Sequence, residues 1–189
     1  MIRLVLGLLA ATAISVTVAS CSSTEAVSSA STEEAVDTQW LPQADTPSGV
    51  ATEVPIERGA LTRFLTTFAY REFVSEPEQH PGRGPHAAAG SPVRTWFSPS
   101  LAQAMEADEE TFPVGAAAVK EMWSEGGELL GWAVEVKTDL GRGGGSWFWF
   151  EMVGTDPATA EIYGGGNDVP GCVGCHTQGT DWVISDLPL

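Results

Sequence analysis

Four hydrophobic segments have the length and spacing of β-strands. They cover residues 92–97, 116–123, 129–136 and 146–153, with glycine-containing turns between the last three. The third segment alternates, which puts Leu130, Trp132, Val134 and Val136 on one face. The fourth contains Trp147-Phe148-Trp149-Phe150, which is apolar on both faces. Such a strand is covered on both sides, by a second layer or by a large flat ligand. The pattern predicts an antiparallel sheet.

Two other segments have helical features. Residues 58–73 place one apolar face at helical spacing, made of Leu61, Phe64, Leu65 and Phe68. A second helix is predicted to begin with Ser98 as its cap and Pro99 in the first helical position, with Leu101 and Met105 on its buried side. Residues 75–91 hold three prolines and three glycines and predict a long loop. The expected fold class is α+β: mainly β, with one or two packed helices.

The N-terminal segment has the features of an export signal. Arg3 precedes an apolar run of about fifteen residues, shorter than the ~20 that span a bilayer as a helix. Val18-Ala19-Ser20 then leads directly to Cys21, which resembles the bacterial lipobox. That resemblance implies a lipoprotein with Cys21 lipidated, exported and anchored to a membrane facing the periplasm or cell exterior. The alternative is an ordinary signal cleaved near Ala19.

Composition and charge define the regions on either side of residue 50. Residues 22–50 are rich in Ser, Thr, Ala, Glu and Asp, and we expect them to form a flexible acidic tether before a single domain at 51–189.

The chain has 9 basic and 25 acidic residues, for a net charge of −16. This balance argues against nucleic-acid binding, which needs clustered Lys and Arg.

The sequence Cys172-Val173-Gly174-Cys175-His176 is the attachment motif of c-type haem. Two thiols three positions apart can bond to the two vinyl groups of one porphyrin, and the adjacent imidazole can bind the iron. The motif predicts one covalent haem c, held by Cys172 and Cys175 with His176 as the metal ligand. A small disulfide or a chance match is the alternative. A zinc site would need further ligands, and the chain's remaining cysteine is Cys21.

The sequence does not determine which group, if any, occupies the other axial position of the iron. Five side chains are candidates for it: Met105, Met122, Met152, His80 and His86. Each also has a structural interpretation, because methionines fill gaps in cores and the two histidines lie in a Pro/Gly-rich loop.

Three stretches in addition to the haem motif, in the same order, resemble the cytochrome P-460 family. They are Pro92-Val93-Arg94-Thr95-Trp96-Phe97 before a Ser-Pro helix start, Phe112-Pro113-Val114-Gly115 leading to Val119-Lys120-Glu121, and Thr180-Asp181-Trp182-Val183 after the motif. The likeness covers most of residues 55–189. It implies a β-rich haem domain, a proximal histidine and usually a homodimer. Members of the family oxidise hydroxylamine, and their relatives, the cytochromes c′-beta, mainly bind nitric oxide at an open distal face of the haem.

The resemblance also implies roles for three residues. Lys120 matches the lysine that bonds covalently to the porphyrin in P-460 cytochromes, and Arg94 matches a distal-side arginine. Asp168 falls near the position of a proton-accepting carboxylate, although Asn167 and Asp168 can equally form a turn. Strand alternation places Lys120 on one face with Ala118 and Met122. A surface lysine, or an ion pair for Arg94, is the alternative.

Three functions remain open from the sequence. The first is an oxidoreductase for hydroxylamine or another small nitrogen oxide, with electrons passing to a partner cytochrome. The second is a protein that binds nitric oxide without turnover. The third is an electron-transfer cytochrome with methionine or histidine as a second axial ligand.

Overall fold

The computed structural model describes residues 53–84, 86 and 90–184. The expected signal segment with Cys21 and the expected tether lie outside the described residues. In the part that is described, no helix has the length and hydropathy needed to cross a membrane. The described residues belong to one compact unit.

One antiparallel sheet with helices packed against it forms this part of the chain, and this confirms the predicted α+β class. The elements are α1 (Arg58–Thr66), a 3-10 turn (Ala69–Glu72), β1 (Val74–Ser75), β2 (His80–Pro81), β3 (Pro92–Phe97), α2 (Pro99–Glu106), β4 (Ala117–Trp123), β5 (Leu129–Lys137), a 3-10 turn (Gly144–Ser146), β6 (Trp147–Val153), β7 (Glu161–Asn167) and α3 (Pro170–His176). The strand order is β1-β3-β4-β5-β6-β7, and β2 pairs with β3.

Strand alternation divides the side chains between two cores. The first core packs α1 against one face of the sheet and includes Leu61, Leu65, Trp132, Val134, Phe148 and Phe150. The second core covers the opposite face with α2, α3 and the segment after α3, and includes Phe97, Leu101, Trp147, Trp149 and Val183. All four residues of the Trp147–Phe150 run are buried. The predicted burial of this strand on both faces is therefore confirmed.

Helix α1 is shorter than its periodicity predicts. It ends at Thr66, and Phe68 adopts a left-handed φ of 57° before the 3-10 turn begins. The hydroxyls of Thr66 and Thr67 donate to main-chain carbonyls one turn back, a bond that disfavours continuation of a helix. The break directs Tyr70 into the core, where it is fully buried and its hydroxyl donates to Glu121. This long-range contact decides the conformation.

Strand β7 was not predicted, because Glu161–Asn167 contains three consecutive glycines. The strand is bulged where it pairs with Trp149 and Phe150. At that bulge Gly164 has a φ of +75°, and an added Cβ would lie 2.7 Å from the Trp149 carbonyl oxygen. Glycine is therefore required for this pairing. Sequence rules count the same glycine as a strand breaker.

Helix α2 begins as predicted, with Ser98 Oγ accepting a hydrogen bond from Leu101 N (3.4 Å). Leu101 is fully buried, and Met105 is partly buried against the second core. In the predicted loop at 75–91, the described residues form only the two-residue strand β2 and the end of β1.

Replacing Glu57 with glutamine is expected to lower the thermal midpoint of unfolding at neutral pH. Glu57 caps α1, where its carboxylate accepts from Gly59 N (2.9 Å) and Ala60 N (2.8 Å). These bonds lower the pKa of Glu57 below its ordinary value of 4.5. The stabilisation is therefore complete above that value and is lost as the pH falls through the lowered pKa.

Thermal melts at about pH 7 and about pH 3 measure this effect. The difference between wild type and Glu57→Gln should shrink at the lower pH. Glu125→Gln removes an exposed glutamate elsewhere and controls for overall charge. A difference between wild type and Glu57→Gln that is the same at both pH values would contradict the capping role.

Candidate haem site

The attachment motif lies on a short helix that faces the sheet. Helix α3 begins at Pro170, which suits a first helical position because proline has no N–H to leave unpaired. Cys172, Cys175 and His176 follow at i, i+3 and i+4 and so lie on one side of the helix. His176 is buried, Cys172 is partly buried and Cys175 is exposed. Neither cysteine is in a disulfide.

A cleft separates this side of α3 from the second face of the sheet. One row of cross-strand neighbours contributes Thr95, Lys120 and Glu151, and the next row contributes Phe97, Ala118, Glu135 and Trp149. The inner part, a volume of about 30 Å³, is lined by Cys172 and His176. An adjoining hollow of about 460 Å³ is lined by Cys175 and shares His176 and Lys120. The volume of the adjoining hollow falls in the range of small-molecule and cofactor sites, about 300–1,000 Å³.

The His176 imidazole has a fixed orientation. Its Nδ1 lies 2.8 Å from the Trp182 carbonyl oxygen, which can only accept, so Nδ1 carries the proton and Nε2 has the free lone pair. The Trp149 ring packs edge-on against the imidazole, with centroids 4.8 Å apart. A neutral imidazole held in this way by a second hydrogen bond is the usual form of a histidine metal ligand.

A strained turn presents the Trp182 carbonyl to His176. Asp181 and Trp182 have positive φ values of 41° and 75°, a conformation that side chains with a Cβ rarely adopt. Asp181 accepts from Lys137 Nζ (2.8 and 2.9 Å) and from Phe112 N (2.8 Å). The Lys137 and Asp181 side chains are 0% and 3% exposed. This buried ion pair therefore holds the turn in place.

Gly144 sets the distance between α3 and the sheet. A Cβ at this position would lie 2.3–3.0 Å from three side-chain carbons of Val173. The Gly144 carbonyl also accepts from Trp149 Nε1 (3.0 Å). The absence of a side chain at Gly144 thus allows α3 to approach and helps to fix the Trp149 ring beside His176.

Two carboxylates influence the ionisation of the motif residues. Burial, the largest influence, lowers the pKa of His176. The Glu135 carboxylate, whose Oε2 lies 3.1 Å from Nδ1, and the hydrogen bond to the Trp182 carbonyl together outweigh burial, so the pKa is raised overall. The positive charge of Lys120 lowers the pKa of His176. Burial, together with the charges of Glu151 and Glu135, raises the pKa of the Cys172 thiol to about 11. The Cys172 thiol is therefore protonated at neutral pH.

Glu135 contacts His176 without sharing its proton. The Nδ1–H bond is directed at the Trp182 carbonyl, and Glu135 Oε2 is buried without a well-directed hydrogen bond from any described residue. A buried carboxylate beside the imidazole would increase the basicity of a metal-bound His176. The residues present thus fit a haem: two thiols, an oriented imidazole and an apolar wall made by Phe97, Ala118 and Trp149.

Lys120 lies where strand alternation predicts it, on the face with Ala118. It lines both parts of the cleft, together with His176. Thr95 on β3 and Ala133 on β5 are its cross-strand neighbours. The structure therefore brings Lys120 together with the haem motif, from which it is separated by more than fifty residues in sequence.

Arg94 lies on the opposite face of the sheet from Lys120. Its guanidinium donates to the Glu76 carbonyl (2.8 Å) and to Ser75 Oγ (2.8 Å), and it packs over the Trp96 ring of the first core. Its neighbour Thr95, by alternation, is the β3 residue that faces the cleft. The role implied for Arg94 beside the iron does not fit this position, and Arg94 instead ties β3 to β1.

Asp168 lies in the turn between β7 and α3, with a positive φ of 56° and an exposed side chain. Asn167 fixes this turn through hydrogen bonds from Nδ2 to Thr138 Oγ1 (2.7 Å) and to the Gly145 carbonyl (2.8 Å). Asp168 does not line the described cleft. Its position agrees with the turn alternative and not with the role of a proton acceptor at the iron.

The five candidates for the other axial position lie in different environments. Met122 and Met152 are fully buried inside the protein, and Met105 packs beside α2. Both ring nitrogens of His80 face acceptors, Pro81 O (3.1 Å) and Glu76 Oε2 (3.0 Å). His86 alone among these five lines the inner cleft.

The sequence did not single out Glu135 and Glu151. Each is a charged position inside an otherwise apolar strand, on the face opposite the first core. That pattern was visible in the sequence, because Glu135 lies between Val134 and Val136 and Glu151 lies between Phe150 and Met152. The missing information was that the motif helix packs against this same face.

Within the described residues, no group of three or more His, Cys, Asp and Glu side chains is arranged to hold a metal ion.

Comparison with known proteins adds no family assignment. The chain matches no protein-family model, and no curated protein matches it in sequence.

Proposed function

We propose that this chain is a c-type haem protein with one covalently attached haem. Cys172 and Cys175 provide the two thioether bonds, and His176 Nε2 is the proximal ligand. The observation that carries the proposal is the orientation of His176. Its Nδ1 proton is held by the Trp182 carbonyl at the wall of a cleft into which the neighbouring cysteines of the motif also face.

The proposed ligands are small nitrogen oxides, such as nitric oxide and hydroxylamine. A haem supplies an iron that binds such molecules and exchanges electrons one at a time. Around it, the apolar side chains of Phe97 and Ala118 exclude water, and the Lys120 amine provides a hydrogen-bond donor. Lys120 is also the residue for the porphyrin cross-link that the resemblance implies.

Oxidation of hydroxylamine would require a group that accepts protons. We propose Glu151 for this role in place of Asp168, because Glu151 lines the cleft and its side chain is 16% exposed. Glu151 Oε2 also lies 2.7 Å from His86 Nδ1 in the loop. The electrons would pass to a partner cytochrome.

The proposed location of the haem domain follows from the N-terminal sequence. Thioether attachment of haem takes place after export, and the segment before Cys21 has the pattern of a lipoprotein signal. We propose that the domain is exported and held at a membrane by acyl chains on Cys21 alone. The acidic composition gives no support to a nucleic-acid partner.

Electron transfer is a second candidate function. It is favoured by one observation, the proximity of a second histidine, His86, to His176 inside the cleft. Two strong axial ligands would favour electron exchange over ligand binding.

The test is production of the full chain in a bacterial host with a haem-attachment system. We expect a coloured protein whose mass exceeds that of the processed polypeptide by one haem, retained after acid–organic extraction. Cys172→Ala/Cys175→Ala should lose the covalent haem, and Thr177→Ala, an exposed neighbour, should keep it. A colourless wild type with unmodified thiols would overturn the proposal.

Ligand and turnover measurements then separate the functions. Addition of nitric oxide should change the visible spectrum of a nitrogen-oxide-binding protein. Steady-state oxidation of hydroxylamine with an artificial acceptor should be seen only for an enzyme. Peptide mapping reports whether the Lys120 peptide carries the porphyrin.

A further inference from the structure

His86 and His176 are neighbours in the cleft. Their ring centroids are 6.4 Å apart and their planes are inclined by 84°. The two residues are ninety positions apart in sequence and come from the 75–91 loop and from α3. Both line the inner cleft, with Lys120 and Glu151 beside them.

This separation matches two imidazoles on opposite sides of one metal ion. An imidazole nitrogen binds a metal at about 2.0–2.1 Å, and the ring centroid lies about 1.1 Å further out, so two such rings have centroids about 6.2–6.4 Å apart. Direct ring stacking gives centroid distances of about 4.5–7 Å and is the alternative explanation of the same contact.

The hydrogen bonds of His86 resemble those of a metal ligand. Its Nδ1 lies 2.7 Å from Glu151 Oε2, and the side chains are 18% and 16% exposed. A carboxylate accepts, so Nδ1 carries the proton and Nε2 has the free lone pair. In metal sites, the ring nitrogen of a histidine that does not bind the metal commonly donates its hydrogen to a carboxylate in this way. His176 has the equivalent arrangement with the Trp182 carbonyl.

The other histidine of the loop differs in this respect. Both ring nitrogens of His80 face oxygen acceptors, and one of these is the buried carboxylate of Glu76. Because each nitrogen is directed at an oxygen, neither is directed at a metal in the cleft. His80 therefore serves as a matched control from the same loop.

We propose that His86 is the second axial ligand of the haem iron, oriented by Glu151. The inference rests on the haem attachment proposed above and defines the resting state of that site as six-coordinate. A nitrogen oxide then reaches the iron by displacing His86. The resemblance to cytochrome P-460 implied an open distal face, so this proposal is a departure from it.

The experiment compares wild type, His86→Ala and His80→Ala as full-length ferric holoproteins, by optical and electron paramagnetic resonance spectra. We expect low-spin spectra for wild type and His80→Ala. The His86→Ala spectrum should become high-spin, and added imidazole should restore the low-spin form. The observed rate of nitric oxide binding should rise at least about tenfold in His86→Ala, because no protein ligand must leave first.

Three results would overturn the inference. The first is a high-spin wild-type spectrum with haem attached, which leaves the haem assignment intact. The second is a low-spin spectrum that survives His86→Ala but is lost in Lys120→Met, which assigns the position to lysine. The third is a chain without covalent haem, which removes the proposed function as well and is distinguished by mass.

Glu151→Gln tests the orienting role separately from ligation. The amide can no longer provide a charged acceptor, but it leaves His86 in place. For Glu151→Gln we expect the spectrum to stay low-spin. We expect nitric oxide to bind faster than in wild type, by a smaller factor than in His86→Ala. A rate unchanged from wild type would remove Glu151 from the proposal.

Discussion

Replacing Lys137 with methionine is expected to lower the free energy of unfolding by about 3–5 kcal/mol. Lys137 is completely buried, and its Nζ donates to Asp181, to Ser146 Oγ (2.9 Å) and to the Gly141 carbonyl (2.9 Å). Removal of the amine leaves the Asp181 carboxylate buried without its partner charge. The side-chain methylenes, by contrast, are largely replaced. The loss therefore arises from the uncompensated charge and not from a cavity.

Denaturant unfolding of the protein measures this loss. Lys137→Met/Asp181→Asn removes both charges and keeps a residue that tolerates a positive φ, so it should recover part of the stability. Arg142→Met removes an exposed positive charge and should change stability by less than about 0.5 kcal/mol. If Lys137→Met unfolds at the same denaturant concentration as wild type, the ion pair does not hold the turn.

Replacing Trp149 with alanine is expected to cost about 3–5 kcal/mol of stability and to reduce the fraction of chains that carry covalent haem. Trp149 is 2% exposed and forms one wall of the cleft, where its ring contacts His176. Its truncation leaves a void between the second core and the motif helix. The imidazole loses the surface that fixes its orientation.

Trp149→Phe is the matched control, because it keeps an aromatic ring against His176 and loses the hydrogen bond to Gly144 together with part of the ring volume. We expect it to cost about 1 kcal/mol beyond the loss of ring volume and to keep most of the covalent haem. Denaturant unfolding and the ratio of haem absorbance to protein measure the two effects. Equal haem content in wild type and Trp149→Ala would show that this wall does not support the ligand.

Local patterns predicted the central strands well, because each has one face that must be buried. The alternation of β5 and the apolar run of β6 follow directly from the two cores on either side of the sheet. Strand β7 was missed because its glycines are typical of a strand breaker. They are needed at a bulge that forms only when this strand pairs with β6. Helix α1 was predicted to be too long because Tyr70 is buried by a contact with Glu121, fifty-one positions away.

The candidate site, too, could be predicted from the sequence only where local patterns determine it. The position of Lys120 follows from alternation, and the structure agrees with the prediction. Arg94 was placed by resemblance alone, and alternation puts Thr95 in the cleft instead. No local pattern indicates that Lys137 is the buried lysine, because its partner Asp181 lies forty-four positions away in a turn with unusual backbone angles. Long-range contacts of this kind have no local signal.

The anchored turn at Asp181 and Trp182 has a consequence for the energetics of the proposed iron coordination. Immobilising a side chain costs conformational entropy, and a ligand that must be ordered when the metal arrives subtracts that cost from the coordination energy. Here the cost is met when the polypeptide folds, because a buried ion pair fixes the carbonyl that holds His176. An iron–imidazole bond of the proposed haem would then retain more of its intrinsic strength.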